Sequence, residues 1–507
     1  MIFFLRVIFA GLGGLAFWAA HAPMSWWPLL VLAFTFLWVS VYHASVKWGF
    51  LLGLIWGLFF FLPHTAWAAI AAGTVFALVA LALSQALFIA IVGGIWSQIS
   101  YLSPKSAWLW AAISWCGIEH VRGELPFGGM PWGKVAFALN DSPLARLAPL
   151  GSTLLVGLVA VAISILFAQA LVAMPRSFFT MATSLALACA LFVLPLFLPL
   201  GGSPEGQIAV GIVQGGSPTK EEVPRGYERA LRVTQNHVEL AQQVGDADLI
   251  VMPESTSDRD MRTDPVTGGL LRDLAVNLDT PLMFGTQEYL ENGRYNDYLV
   301  MAPDSSIIGR YSKQHPVPFG EYVPFRDAIE SSSQWLAQII NQISVDMLAG
   351  TTNAHLDVPT SRGQVRLATP ICFEIAYDLL VSQAVTGSGP AAQLIVVPTN
   401  NASFGDSGEP YQQFEMTRFR AMEFGRSAIQ VSTTGVSGLV EANGVLRYRT
   451  DVGQQEARTE NVMLYNHLTF AARSADVRHQ VGYGLAIIAV IIAIIAYRRR
   501  THKARRR

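Results

Sequence analysis

The sequence predicts two joined folds: a multi-pass α-helical membrane domain of about eight spans, and a layered α/β domain held between the seventh and eighth of them. Three observations predict this. The 507 residues are 52% hydrophobic and only 14% charged, too apolar for a water-soluble protein of this length. The excess lies in residues 1–200, in runs near the roughly 20 residues a helix needs to cross about 30 Å of hydrocarbon. From about Gly201 the composition changes abruptly, through the linker "GGSPEG", to short β-branched runs alternating with helical patterns.

In the membrane domain, residues 1–200, spans are predicted at 3–20, 25–43, 48–69, 75–97, 105–121, 151–173 and 178–200. An eighth, "VGYGLAIIAVIIAIIAY", covers 481–497 and is followed by a basic tail at 498–507. The first run has no basic flank beyond Arg6 and further spans follow it at once, so it does not read as a cleaved signal. Basic residues in the short loops set the orientation. Lys47, Lys105 and Arg176 follow spans two, four and six, whereas the loops after spans one and three hold no Lys or Arg. Both termini are therefore expected in the cytoplasm, and the large segment before the last span on the outer side. The segment after span five runs against this rule with Arg122, Lys134 and Arg146, for which Glu119, Glu124 and Asp141 are the expected partners. Gly49, Gly53 and Gly57 form a small-residue stripe suited to a close helix contact. His43 and His64 are expected at span boundaries.

The outer domain, residues 205–477, is long enough for one core. Strands are expected at 208–214, 248–255, 281–287, 295–302, 365–374, 392–401 and 427–434, with helical patterns beginning at Arg225 and Tyr411. Strands alternating with helices imply a layered α/β domain with its sites at strand ends. A net charge of −1 gives no electrostatic footprint for a nucleic-acid partner. Cys116 and Cys189 fall in predicted spans, which leaves Cys372 as the lone thiol of the outer domain, with no internal disulfide open to it. In "ATPICFEIAYD" that thiol is either a small buried hydrophobe or a reactive group.

Several motifs lead elsewhere and fail. "GGMPWGKV" (128–135) ends in Val135 where a phosphate-binding loop needs Ser or Thr, and it lies between spans. "GDSGEP" (405–410) imitates the serine motif of chymotrypsin-type proteases, but Glu409 replaces its second glycine and no matching histidine segment precedes it. His237, His315, His355 and His467 are scattered and no HExxH or paired CxxC occurs, so no metal is expected.

Three polar residues stand directly after apolar runs: Glu254 after "LIVMP", Lys313 after "SIIGRYS" and Cys372 after "RLATPI". Each alone is weak. Together with "HPVPFGEYVPF" (315–325), "CFE" and "VVPTNNASFGDSG" (396–408), the sequence resembles the carbon–nitrogen hydrolase (nitrilase) superfamily, whose catalytic set is Glu, Lys and Cys in that chain order. It is more similar still to the apolipoprotein N-acyltransferase branch, in which that domain is inserted between membrane helices; "RGELPFGGMPW" (122–132) and "RAMEFGR" (420–426) extend the resemblance over essentially the whole chain.

The resemblance implies an αββα sandwich, with Glu254 as general base, Lys313 as electrostatic catalyst and Cys372 as nucleophile. Glu321 and Glu374 correspond to acidic residues needed near the site. Phe373 stands where Tyr is frequent, and Asn401 and Ser403 where Asp and Trp are common. The implied reaction is a two-step acyl transfer. Cys372 attacks a phospholipid ester to give a thioester, and the α-amine of a diacylglyceryl-modified N-terminal cysteine of an apolipoprotein takes the acyl group. No cofactor is implied. The implied setting is a bacterial inner membrane with the catalytic domain periplasmic, and a monomer is expected.

A membrane-tethered amidase with water as acceptor uses the same three residues, and a transporter or sensor without catalysis is the remaining alternative. The transporter requires intramembrane charges or broken paired helices, of which the spans show few. For any of the enzymes, a thiol near pKa 8.5 must lose its proton to a Glu near 4.3, uphill by roughly 4 units or about 5 to 6 kcal/mol. Burial of Glu254 and the ammonium of Lys313 are expected to narrow that gap. Segments 316–325 and 404–411 are expected to form mobile apolar lids.

Overall fold

The computed structural model describes residues 2–174, 177–218, 222–223 and 226–505. Arg176, Arg225, Arg506 and Arg507 lie outside the described residues. The chain divides into two compact units, Met1–Pro199 with Ser474–Arg507, and Leu200–Arg473.

The first unit is helical. Its helices are α1 (Ile2–Ala20), α2 (Leu29–Val41), α3 (Val46–His64), the short α4 (Trp67–Ala72), α5 (Val75–Ile99), α6 (Pro104–Glu124), α7 (Ala148–Ala173) and α8 (Phe178–Val193). Small hydroxyl residues begin several of them: Ser45 accepts from the Trp48 amide and Ser177 from that of Thr180, each satisfying a donor the first turn leaves open. Among the described residues five helical segments are long and apolar enough to cross a membrane: Val46–His64, Val75–Ile99, Pro143–Ala173, Phe178–Phe197 and Ala475–Thr501. Phe4–Ala20 and Leu29–Val41 are apolar but shorter. The run predicted at 48–69 is two helices, because Pro63 removes a ladder donor and α3 ends one residue later.

The glycine stripe of α3 packs on α5. A Cβ at Gly49 would lie 2.5 Å from the Gly93 carbonyl oxygen and one at Gly53 2.5 Å from that of Ile89, so the two backbones touch and only glycine fits. His64, the last residue of α3, stands at the span boundary expected of it and is buried with its ring 4.8 Å from that of His21. Arg122 is held by oxygens of the chain that follows it, donating to Met130 and Trp132 carbonyls at 2.8 and 2.9 Å and to Gln85 at 3.1 Å. Glu119 meanwhile accepts from Trp115 and the Val135 amide. Arg146 donates to the Leu198 carbonyl at 2.6 Å. Main-chain carbonyls thus bind the guanidinium groups of both Arg122 and Arg146.

Among its described residues the second unit has twelve strands: β1 (Gly206–Gln214), β2 (Leu249–Val251), β3 (Leu282–Leu290), β4 (Gly293–Met301), β5 (Ile307–Ser312), β6 (His355–Thr360), β7 (Gly363–Ala368), β8 (Leu394–Thr399), β9 (Ala428–Ser432), β10 (Gly438–Val440), β11 (Leu446–Arg449) and β12 (Glu456–Leu464). They form two six-stranded sheets, ordered β12-β1-β2-β3-β4-β5 and β11-β10-β9-β8-β7-β6. In each sheet three central strands are parallel, β1-β2-β3 and β7-β8-β9, and the outer ones antiparallel. Parallel neighbours need crossovers. Here these are α9 (Tyr227–Ala241) and α10 (Pro265–Leu278) for the first sheet, and α13 (Asp378–Thr386) and α14 (Glu409–Phe424) for the second; α11 (Arg326–Ser332) and α12 (Gln334–Ile340) lie between the sheets in sequence.

Val238 and Ala241 of α9 and Leu271, Leu274 and Ala275 of α10 bury their apolar faces on Ile250, Phe284 and Leu299. The result is an αββα sandwich. The unit closes with α15 (Phe470–Arg473), and α16 (Ala475–Arg505) returns to the helical unit, starting six residues before the predicted span. The unforeseen strands β5, β6, β10, β11 and β12 are short or lie at sheet edges, and β11 and β12 are largely exposed or half-buried, so no apolar run marks these last two.

Candidate active site

The parallel strands of both sheets deliver polar residues to one end of the sandwich, where an open α/β sheet places its sites. Glu254 follows β2 by three residues, Lys313 follows β5 directly, and Cys372 follows β7 by four. All three are at least 95% buried. The backbone of Glu254 lies hard against β3: a Cβ on Gly285 would come within 2.7 Å of the Glu254 Cα, so that strand position tolerates only glycine.

Glu254 and Lys313 meet directly. Lys313 Nζ lies 3.4 Å from Glu254 Oε1 and 2.6 Å from Glu321 Oε1. Asn296 of β4 fixes both sides, donating from Nδ2 to Glu254 Oε1 at 2.5 Å while its carbonyl accepts from the Lys313 amide at 2.9 Å. The Asn400 amide, beyond β8 in the other sheet, donates to Glu254 Oε2 at 2.8 Å. Glu321 is anchored by the Val317 amide at 2.7 Å.

Cys372 opens a 3₁₀ turn, Cys372–Ala376, with φ +55°, a left-handed conformation that costs a residue with a Cβ about 1–2 kcal/mol. Two anchors hold that turn. Glu374 accepts from the Ile371 amide (2.7 Å), the Gln314 and His315 amides (2.7 and 3.0 Å) and the Tyr311 hydroxyl (2.8 Å), tying the segment after Lys313 to the segment around Cys372. Arg420 of α14 donates to the carbonyls of Ile375 and Ala376 at 2.9 Å each and pairs with Glu423 and Asp378. The Phe373 ring lies 6.1 Å from that of Phe404.

The electrostatics follow from burial and neighbours. Burial raises the Glu254 carboxyl above the ordinary carboxylate range; Lys313 opposes this and Glu321 adds to it. Burial alone would push Lys313 down, but Glu254, Glu321 and Cys372 together outweigh it, so the ammonium stays charged. Burial likewise pushes the Cys372 thiol up, with Glu254 adding and Lys313 only partly offsetting. The ammonium therefore does not produce a resting thiolate, contrary to the simple expectation: an ionised carboxylate and loss of water both stand against it. Burial thus raises both the acid and the thiol, and proton transfer between them stays uphill in the resting site.

Sequence reasoning overlooked Asn296, Arg420 and Glu409. A polar "ND" inside the apolar strand "YNDYLVMA" was the available signal for the first; "RAMEFGR" contained the second without showing its target. As for metals, the described residues bring together one group of three possible ligands, His120, Glu124 and His479 of the helical unit. His479 Nδ1 and Glu124 Oε1 are 3.8 Å apart, wider than the roughly 3.3 Å between tetrahedral zinc ligands.

This pairing of sheets, with an acid, an amine and a thiol at their strand ends, defines a class. Residues 209–464, half of the chain, match the carbon-nitrogen hydrolase family model, and the chain belongs to that family. Within it the branch is given by the helical unit: residues 13–166 match the model of the apolipoprotein N-acyltransferase N-terminal domain. A Geobacter metallireducens protein named apolipoprotein N-acyltransferase is 28% identical over 77% of this chain and 74% of its own length. One of the same name from Mycolicibacterium smegmatis is 27% identical over 95% of this chain and 84% of its own. Among solved structures, the CN-hydrolase superfamily protein XC1258 from Xanthomonas campestris aligns with a TM-score of 0.38 at 18% identity, over 55% of this chain and 97% of that one.

Proposed function

We propose that the protein moves a fatty acyl chain from a membrane phospholipid to the α-amine of the N-terminal diacylglyceryl-cysteine of an apolipoprotein, the last step of lipoprotein maturation. The observation that carries this reading is a carbon–nitrogen hydrolase site, buried Glu254, Lys313 and Cys372, in a chain whose remaining length is apolar helices matching the acyltransferase N-terminal domain.

In the first step Cys372 Sγ bonds to the ester carbonyl carbon as its proton passes to Glu254. Lys313 stabilises the oxyanion. The ester C–O bond then breaks, and Glu254 returns the proton to the departing lysophospholipid oxygen. In the second step the acceptor amine, with a pKa near 8, attacks the thioester; Glu254 takes its proton and restores it to sulfur. Glu321 keeps Lys313 in place, Glu374 holds the two reacting segments together, and Phe373 lines the apolar side. Membrane-held substrates gain concentration and orientation from an enzyme on the same surface. The expected setting is the periplasmic side of a bacterial inner membrane, with a monomer as the working unit. Phe319 and Phe325, 54% and 73% exposed, support an apolar lid in segment 316–325, with 404–411 as its counterpart. A lid deletion that left acyl transfer at full rate would refute that part.

The test is intact-mass analysis of the protein after incubation with phospholipid, followed by addition of a diacylglyceryl-cysteinyl peptide. An acyl adduct on Cys372 is expected in the wild type and absent in Cys372→Ala, Glu254→Gln and Lys313→Met, and the peptide is expected to carry an amide-linked acyl chain. Free fatty acid at full rate with no N-acyl peptide would assign water as the acceptor and overturn the transferase reading.

A further inference from the structure

One buried acid near the thiol has no part in that chemistry. Glu409, the first residue of α14, is fully buried, and only one of its carboxyl oxygens has a hydrogen-bond partner among the described residues. Oε2 accepts from Asn401 Nδ2 at 2.8 Å; Oε1 has none. Asn401 is a hub. Its Nδ2 also donates to Gln413 Oε1 at 2.8 Å, and its Oδ1 accepts from the Ser432 hydroxyl at 2.7 Å. The same Gln413 oxygen accepts from the Thr399 hydroxyl at 2.9 Å, and the Thr399 side chain lies within hydrogen-bonding reach of the Cys372 sulfur. A continuous set of contacts thus runs from the Glu409 carboxyl to the nucleophile.

The charges around Glu409 are unfavourable to its ionised form. Glu254, from the segment after β2, and Cys372, from the 3₁₀ turn after β7, are the titratable groups facing it, and the site's cation, Lys313, is already engaged by Glu254 and Glu321. A buried carboxyl with one unpartnered oxygen and no cation paired with it among the described residues favours its protonated form. Burial, with Glu254 adding, pushes it up to about 8 against the Asn401 hydrogen bond. An Asp at 401 would set two carboxyls in contact, whereas Asn401 and Glu409 are a matched donor and acceptor.

We infer that Glu409 is a positioning residue for the Cys372 thiol: as a neutral acid it holds Asn401, and through it Gln413 and Thr399, against the sulfur, and when ionised it turns thiol reactivity down. The inference rests on Cys372 as the nucleophile proposed above. Its test is the rate of alkylation of Cys372 by iodoacetamide, followed by peptide mass spectrometry on the full chain in detergent between pH 6 and 9.5, for the wild type and Glu409→Gln. Gln keeps an oxygen for Asn401 but cannot ionise. The two rates are expected to match below pH 7 and to part above about 8, with Glu409→Gln roughly three- to tenfold faster at pH 9.

A constant ratio across the range would overturn the inference, because a purely structural role shifts all pH values alike. The wild type is read alone as well. Its rate should fall below the rising curve of a single thiol above pH 8, and a curve with no such bend overturns the inference even if the variant does not fold. Acyl-adduct formation is measured in parallel aliquots not treated with iodoacetamide. Its absence with alkylation intact counts against the acyl-transfer reading, while the alkylation ratio still decides the role of Glu409.

Discussion

Lys313→Met removes the ammonium that Glu254 and Glu321 share in a buried cluster. In the wild type Nζ stands 2.6 Å from Glu321 and 3.4 Å from Glu254, with Lys313 fully buried and Glu321 retaining 19% of its side-chain exposure. Removing one partner of a buried ion pair costs about 3–5 kcal/mol, because the other charge is left desolvated. The partial exposure of Glu321 places this case near the lower end, about 3 kcal/mol, or on the order of 6–12 °C in Tm for a domain of this size. The sign of its pH dependence is fixed. Without Lys313, Glu254 has a folded-state pKa raised further above its unfolded value by burial and Glu321. Such a group destabilises the fold increasingly as pH rises above its unfolded value, up to its folded one, and not at all below both. The loss of Tm in Lys313→Met should therefore be largest at pH 8 and shrink toward pH 5. Differential scanning fluorimetry of both proteins in one detergent reads it directly. A variant that melts within about 1 °C of the wild type at pH 8, or whose deficit grows on acidification, would show that the cluster is not held by opposed charges.

Three further outcomes follow from the same geometry. Glu374→Ala leaves the Tyr311 hydroxyl and the Ile371, Gln314 and His315 amides without their acceptor; at about 1 kcal/mol or more for each buried donor, a loss of roughly 3–4 kcal/mol in chemical unfolding is expected, with acyl-adduct formation abolished. Gly285→Ala forces a Cβ to within 2.7 Å of the Glu254 Cα, so the acyl-adduct rate should fall at least about tenfold while Cys372 remains alkylable. Because burial raises Glu254, the acid limb of the acylation rate should lie above the ordinary Glu value of about 4.3, and it should disappear into a uniformly low rate in Glu254→Gln.

The parts of the site that could be read from the sequence are those written next to strand ends. Glu254, Lys313 and Cys372 each follow an apolar run directly, and the structure brings them to one end of the sandwich. Glu321 and Glu374 were within a few residues of them and lie in the same network. The rest depends on contacts between sheets. The Asn400 amide reaches Glu254 from the opposite sheet, Asn296 stands on a strand whose pairing no local pattern reveals, and Arg420 reaches the nucleophile turn from a helix about 45 residues downstream. Glu409 was visible only as a residue that spoiled a protease motif. Edge strands such as β11 and β12 escaped because a half-exposed strand needs no apolar run.

On the proposed assignment, the second carboxylate explains how a site that disfavours a resting thiolate can still use one. In the resting site Lys313 is shared between Glu254 and Glu321, and Cys372 keeps its proton. When the thiol proton moves to Glu254, that carboxyl becomes neutral and no longer competes for the ammonium. Glu321, at 2.6 Å and anchored by the Val317 amide, still holds Nζ in place and charged. The negative charge has then moved to the sulfur and, as the carbon–sulfur bond forms, to the carbonyl oxygen, where the released share of the Lys313 field is available. Replacing Glu321 with Gln should therefore impair the turnover of bound lipid more than lipid binding, lowering the maximal rate of Cys372 acylation while leaving its half-saturating phospholipid concentration within about twofold. If the half-saturating concentration rises while the maximal rate holds, Glu321 serves lipid binding, and the transfer of charge across Lys313 is not what makes the thiol react.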